Sequence, residues 1–320
     1  MAIPDQLTRG LRLPVIGAPM FIVSNPALVV AQCTAGIIGA FPSLNPRAPE
    51  RLDGWLEEIT QALAAHDARH PDRPAAPYAV NLVVHRSNPR LMEDLATCAR
   101  FKVPLIITSL GANEAVNNAV HGWGGLVFHD VINQRFARKA VEKGADGLIL
   151  VAAGAGGHAG TQSPFALVAE TRVWFDGPIA VSGAIATGGA ILAAQAMGGD
   201  LAYIGSPFIA TDEAQASDAY KQGIVEGTAA DIVYSSHFTG VHGNYLRASI
   251  LRQGLDPDAL PENDPSAMDF TKATGAKAWR DIWGAGQGIG AVTQIVSAHQ
   301  LTARLAEEYA AARARLCSGA

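Results

Sequence analysis

The chain has 320 residues, 49% hydrophobic and 17% charged, with a formal net charge of −5. That is ample apolar material for one large core, and an acidic balance without any Lys/Arg run excludes a phosphate-backbone-binding surface, so nucleic acid is not an expected partner. Three widely spaced cysteines, Cys33, Cys98 and Cys317, exclude a disulfide scaffold and suit a reducing compartment.

The N-terminus lacks the basic-then-apolar pattern of a secretory leader. No segment approaches the roughly 20 apolar residues of a membrane span. A soluble, cytoplasmic protein without a membrane partner is therefore expected.

In chain order, short apolar runs alternate with longer amphipathic stretches. The runs at 13–17, 36–40, 78–82, 105–108, 126–129, 147–151, 179–182 and 201–204 read as strands. Most are unbroken Val/Ile/Leu/Ala, the pattern of parallel strands buried on both faces. Helix patterns lie between them, for example 51–66, 88–101, 134–143 and 190–197. The last three are followed by the stop signals Pro104, Gly144 and Gly198. Eight strands alternating with helices over about 205 residues predict an α/β fold, a (β/α)8 TIM-type barrel. From 213 to 284 the chain turns polar and irregular, with Asp256-Pro257-Asp258 and a turn-rich stretch from Pro261 to Pro265. This segment reads as an inserted, mainly helical cap that serves as a substrate domain. The barrel then comprises residues 1–212 plus 285–320, and a long helix is predicted from Ala291 to about Leu316, docking through Val292, Ile295, Val296, Leu301 and Leu305.

Barrel enzymes build their sites from the loops after the C-terminal ends of strands. The first such loop, Gly17-Ala18-Pro19-Met20, is small enough for a flat ligand to approach, and equally suits a plain strand-ending turn. After the sixth strand, four glycines surround one histidine in Ala153-Gly154-Ala155-Gly156-Gly157-His158-Ala159-Gly160. Such a loop is a poor helix or strand interior. It can set an imidazole over a ligand, and histidine titrates near neutrality, so His158 is the candidate for proton transfer. After the seventh and eighth strands stand Ser182-Gly183-Ala184 and Gly205-Ser206, two Gly-small pairs about 22 residues apart, each leading into a helix. Backbone amides of such turns, with a helix N-terminus, grip a phosphate. No G-x-x-x-x-G-K-[ST], H-E-x-x-H or G-x-S-x-G pattern is present, so no metal is expected. His237 and His242, five residues apart in the predicted cap, suit solvated or substrate-facing roles.

Taken together and in this order, these motifs resemble the nitronate monooxygenase (2-nitropropane dioxygenase) family of FMN proteins, which includes FMN-dependent enoyl-ACP reductases and NADH:quinone reductases. The resemblance runs from Pro14-Val15-Ile16-Gly17-Ala18-Pro19-Met20 to Ala285-Gly286-Gln287-Gly288, and the histidine loop is its most specific part. It implies FMN as cofactor and His158 as catalytic base. It further implies that Ala18, Pro19 and Met20 line the isoalloxazine ring and that Asn81 and Val83 border the flavin's edge. Gly156 and Gly157 would approach the flavin, while Ser182, Gly183, Ala184, Gly205 and Ser206 hold its phosphate. Gln287 would close over it. Two positions depart from the family pattern. Gly154 stands where many members carry Glu or Asp, and His129 stands where a Lys often follows strand five.

The expected reaction is oxidation of an alkyl nitronate, or a nitroalkane, by O2. A reductase using NAD(P)H on a quinone or enoyl thioester is the alternative on the same scaffold, and a non-catalytic phosphate-binding barrel is the third reading. A homodimer is the default assembly.

Overall fold

Runs of β-branched and aliphatic residues with no polar face can satisfy their backbones only inside a sheet covered on both sides. The computed structural model of the chain, which describes residues 3–48, 50–263 and 280–318, arranges them in that way. The strands are β1 (Val15–Gly17), β2 (Gly39–Pro42), β3 (Tyr78–Val83), β4 (Leu105–Ser109), β5 (Leu126–Val131), β6 (Gly147–Val151), β7 (Gly157–His158), β8 (Ile179–Ser182), β9 (Leu201–Ile204), β10 (Ile232–Ser235) and β11 (Gly243–Leu246). Eight of them form one parallel sheet in the order β1-β9-β8-β6-β5-β4-β3-β2. Its two ends meet at a single parallel bridge, Ile16 with Ile38. There Gly17 N donates to Ile38 O at 2.7 Å and Ile38 N to Val15 O at 3.0 Å. The sheet thus all but closes into the predicted barrel.

Alternation along each strand sorts the core. Ile16, Ala79, Ile107, Phe128, Ile149, Ala180 and Leu201 share one inner cluster. Their neighbours Val80, Ile106, Val127, Leu148, Leu150 and Val181 face the surrounding helices. Those helices start where polar side chains take over the first free amides: Asn25, Asn113, Asn133 and Thr187 each accept from the turn they cap.

Several boundaries differ from the sequence reading, two of them for a visible reason. The second strand begins at Gly39, because residues 37–38 are spent on the approach to the seam. The C-terminal helix spans Ala298–Cys317, not 291–316. Ser297 and Gln300 form a reciprocal capping box that fixes its start. Val296 pairs instead with the stretch after β9, accepting from Asp212 N at 3.0 Å. A 3-10 turn, Gln287–Ala291, lies before it.

The segment 213–284 enters between β9 and this last helix. It contains the helices Asp218–Glu226 and Arg247–Arg252. It also holds the β10–β11 hairpin, to whose inner strand β7 pairs antiparallel through Gly243 with His158 and Asn244 with Gly157. Residues 264–279, including Asp264-Pro265 of the predicted turn-rich stretch, lie outside the described residues. No helix among the described residues is long and apolar enough to cross a membrane.

The last helix docks on Gly188–Ala196 and Pro26–Ala35 and so supplies the barrel's eighth helix. Its approach needs a bare backbone at Gly188, where an added Cβ would sit 2.1 Å from Tyr309 N. Gly188→Ala is therefore expected to lower stability by about 1–3 kcal/mol through overpacking, measured as a reduced urea midpoint at unchanged m-value.

Candidate active site

At the C-terminal mouth of the barrel a cavity of about 1100 Å³ opens between the strand ends and the small sheet that carries β7. Of the residues singled out by sequence, Ala18, Pro19, Met20, Asn81, Val83, His129, Gly156, Gly157, His158, Ser182, Gly183, Ala184, Gly205 and Ser206 all line it. Gln287 does not. Its neighbours Gly286 and Gly288 do, while its amide donates to Gly154 O at 2.9 Å.

The loop after β1 is held by Asn45. Its Nδ2 donates to Met20 O (3.0 Å) and Ser24 O (2.7 Å), and its Oδ1 accepts from Ile22 N, a residue at φ +68°. Asn81, on the inner face of β3, is committed to the barrel rim: its Nδ2 donates to Ile107 O and Ser109 Oγ.

The histidine loop leaves β6 and is clamped from two directions. Asn244 Nδ2 donates to Ala155 O at 2.6 Å, and the returning segment lies against its glycines so closely that a Cβ on Gly156 would meet Gly286 N at 2.8 Å. His158 then enters β7, with Nε2 2.9 Å from Thr239 Oγ1. That hydroxyl donates its own proton to Val241 O (3.0 Å), so it accepts from His158. The proton therefore sits on Nε2 and the ring's lone pair on Nδ1. Burial pushes the imidazole down to about 4, so at neutral pH it is an uncharged base.

His129 is also neutral, pushed down to about 4 by burial, and its Nδ1 lies 2.6 Å from Thr108 Oγ1. Strand alternation turns it away from the barrel interior. The inward position next to it belongs to Asp130, which the sequence reading did not single out. The parity of Phe128 and Ile149 would have marked it. Thr239, Tyr203 and Asn244 were missed as well, because their roles depend on contacts between distant segments.

The turns expected to hold phosphate both reach the cavity. Gly183 has φ +138°, where an added Cβ would sit 2.7 Å from Ala153 O, and Ala184 follows at φ +54°. A Cβ on Gly205 would point at Ala18 Cβ (3.5 Å) and Met20 Sδ (3.6 Å). Ser206 Oγ accepts from Gly286 N at 2.9 Å. The helix Gly188–Ala196 contributes less than the sequence suggests, since its first amide, Gly188 N, already donates to Glu308 Oε2 at 2.8 Å. His237 and His242 stand off the cavity: His237 Nδ1 is 3.2 Å from Pro261 O, and His242 stacks on Tyr234. No group of three His, Cys, Asp or Glu among the described residues is set to hold a metal ion.

A family model described as nitronate monooxygenase matches residues 7–308. A nitronate monooxygenase of Paraburkholderia phytofirmans is 26% identical, over 84% of this chain and 83% of its own length. Among solved structures, the nitroalkane oxidase of Streptomyces ansochromogenes superposes with a TM-score of 0.81 at 25% identity, covering 98% of this chain and 100% of that one. FabK from Thermotoga maritima, at 21% identity and a TM-score of 0.78 over 99% and 98% of the two chains, shares the fold.

The neutral state of His129 has a measurable cost. Its folded value of about 4 lies below its ordinary 6.5, so the unfolded chain binds the extra proton between those values, and stability is lost as pH falls through that window. His129→Asn, which keeps a partner for Thr108, is expected to match the wild type at pH 7.5 in urea midpoint and to gain on it steadily down to pH 4.

Proposed function

Since the chain belongs to the nitronate monooxygenase family of oxidoreductases, we propose that it binds FMN in the barrel mouth and oxidises alkyl nitronates with molecular oxygen. The observation that carries this reading is the neutral, oriented imidazole of His158 in the wall of a cavity of about 1100 Å³. Small-molecule sites run to about 300–1,000 Å³, so a flavin and a small substrate fit together. The wall suits the cofactor: bare backbone at Gly156 and Gly157 for a flat ring, and turns at Ser182-Gly183-Ala184 and Gly205-Ser206 for a phosphate. When bound, FMN supplies the electron acceptor and the centre that reacts with oxygen.

The chain's own residues handle the proton and the position of the substrate. A nitronate is already an anion and arrives ready to give up electrons. A neutral nitroalkane must first lose a proton from carbon. Nδ1 of His158 takes it, and Thr239 holds the ring in the tautomer that leaves Nδ1 basic. Tyr220 and Phe238, both lining the cavity from the 213–284 segment, limit the side chains that enter and make that segment the substrate domain.

General-base catalysis contributes about 10²–10⁴-fold. His158→Ala is expected to cut kcat/KM for a neutral nitroalkane by at least about 10²-fold, while its nitronate loses far less. Equal losses on both would remove the base assignment.

The size of the cavity favours one other reading, a flavin reductase in which a nicotinamide ring stacks beside the cofactor and the acceptor is a quinone or an enoyl thioester. Anaerobic addition of NADH, NADPH and a small alkyl nitronate to the yellow protein separates the two. Bleaching by the nitronate alone is the expected result, and rapid bleaching by either nicotinamide makes the protein a reductase.

A further inference from the structure

Asp130 is an acidic residue on the inner face of β5 that lines the cavity together with Asn81, Ser109 and Tyr203. Its Oδ1 is buried and has no hydrogen-bond partner among the described residues. A buried carboxylate oxygen left without a donor costs free energy in the empty protein. An arrangement of that kind is explained when a ligand completes it.

Other chargeable groups face the same space. Tyr203, on β9, is pushed well above its ordinary value by burial and by Asp130, and stays a neutral phenol. Tyr220 is likewise pushed up by burial. His158 on β7 and His129, the preceding residue of β5, are both neutral imidazoles at physiological pH. Lys139 stands exposed at the rim, on the helix Gln134–Glu142. Burial pushes the Asp130 carboxyl up to about 7. Among the described cavity residues it is therefore the group whose charge changes near neutrality.

The turns that suit a phosphate follow β8 and β9, and β6 and β5 are the next strands round the barrel. The cavity runs from those turns to Asp130 on the inner face of β5, so a flat ligand anchored at the turns and reaching across the mouth would meet that face. We infer that Asp130 contacts the ring of the bound FMN and takes up a proton from solvent when the ring is reduced, coupling the cofactor's reduction potential to the protonation of this carboxylate. This inference rests on the FMN reading above. Two electrons from the reductant and one proton enter the ring, which is left anionic. Asp130 exchanges no atom with it, and the second proton, drawn from solvent, goes to the carboxylate. An ionised Asp130 beside that anion is unfavourable, whereas a protonated one donates a hydrogen bond to it.

The test is the midpoint potential of the FMN-loaded protein, read by its visible spectrum from pH 5.5 to 8.5, for the wild type and for Asp130→Asn. The two curves are expected to coincide near pH 5.5. Above about pH 7 the wild type should fall more steeply, so that by pH 8.5 the variant favours reduced over oxidised FMN by at least a further tenfold, equivalent to ~30 mV for a two-electron couple. Curves that run parallel across the range overturn the inference and leave the FMN reading intact. A chain that takes up no FMN overturns both. Should the asparagine variant fail to fold, Asp130→Ser gives the same comparison. A merely structural role for Asp130 would change FMN affinity equally in both redox states and at every pH.

Discussion

Three stretches of chain far apart in sequence meet in this protein with almost no side chain between them. The loop after β6, the strand β11 and the returning segment from Gly284 to Gly288 exchange backbone hydrogen bonds at distances that a single Cβ would break. Gln287 N reaches Gly154 O, Ala285 N reaches Asn244 O, and a Cβ on Gly286 would lie 2.6 Å from Gly154 O. Everything distinctive about the site follows from that contact. It fixes where the loop can go, and so where His158 enters its short strand. It brings Gly286 against Ser206, tying the histidine loop to the turn after β9. It is also why glycine recurs on both sides of the junction: the constraint is distance between backbones, and only a residue without a side chain meets it.

The barrel beneath could hardly be more ordinary, and it was the readable part. All eight predicted barrel strands are present, because a parallel strand buried on both faces writes itself as an unbroken apolar run. Boundaries were less legible. Ile37 and Ile38 are as apolar as the strand they precede, yet they serve the seam. Val292 and Val296 have the spacing of a helix face, yet Val296 pairs as an extended residue with the chain after β9. Local pattern does not distinguish these uses, because the deciding partner lies elsewhere in the sequence.

The site was legible to a similar degree. Its glycine-flanked turns and His158 stand out in sequence because their composition suits no regular element. The hairpin β10–β11 did not stand out, since β10 is short and only half-buried. Without it, neither Thr239 as the partner of His158 nor Asn244 as the clamp on Ala155 could be named. Asp130 was overlooked for a different reason. It neighbours a histidine that drew attention, and only the inward parity of Phe128 separates the side chain that points into the barrel from the one that turns to Thr108.

The unequal footing of the histidine has a consequence for how the molecule loses its integrity. The barrel strands are paired on both sides along much of their length, but β7 is two residues long and pairs with Gly243 and Asn244, with Ala159 N donating to His242 O at 3.2 Å just beyond it. Segments with so few cross-strand bonds open at a smaller free energy than the body that carries them. Amide hydrogen exchange should accordingly divide the chain into two cooperative units, with the protons of residues 157–159 exchanging well before those of β6. Heat is then expected to loosen the short arm bearing His158 before the barrel that carries it.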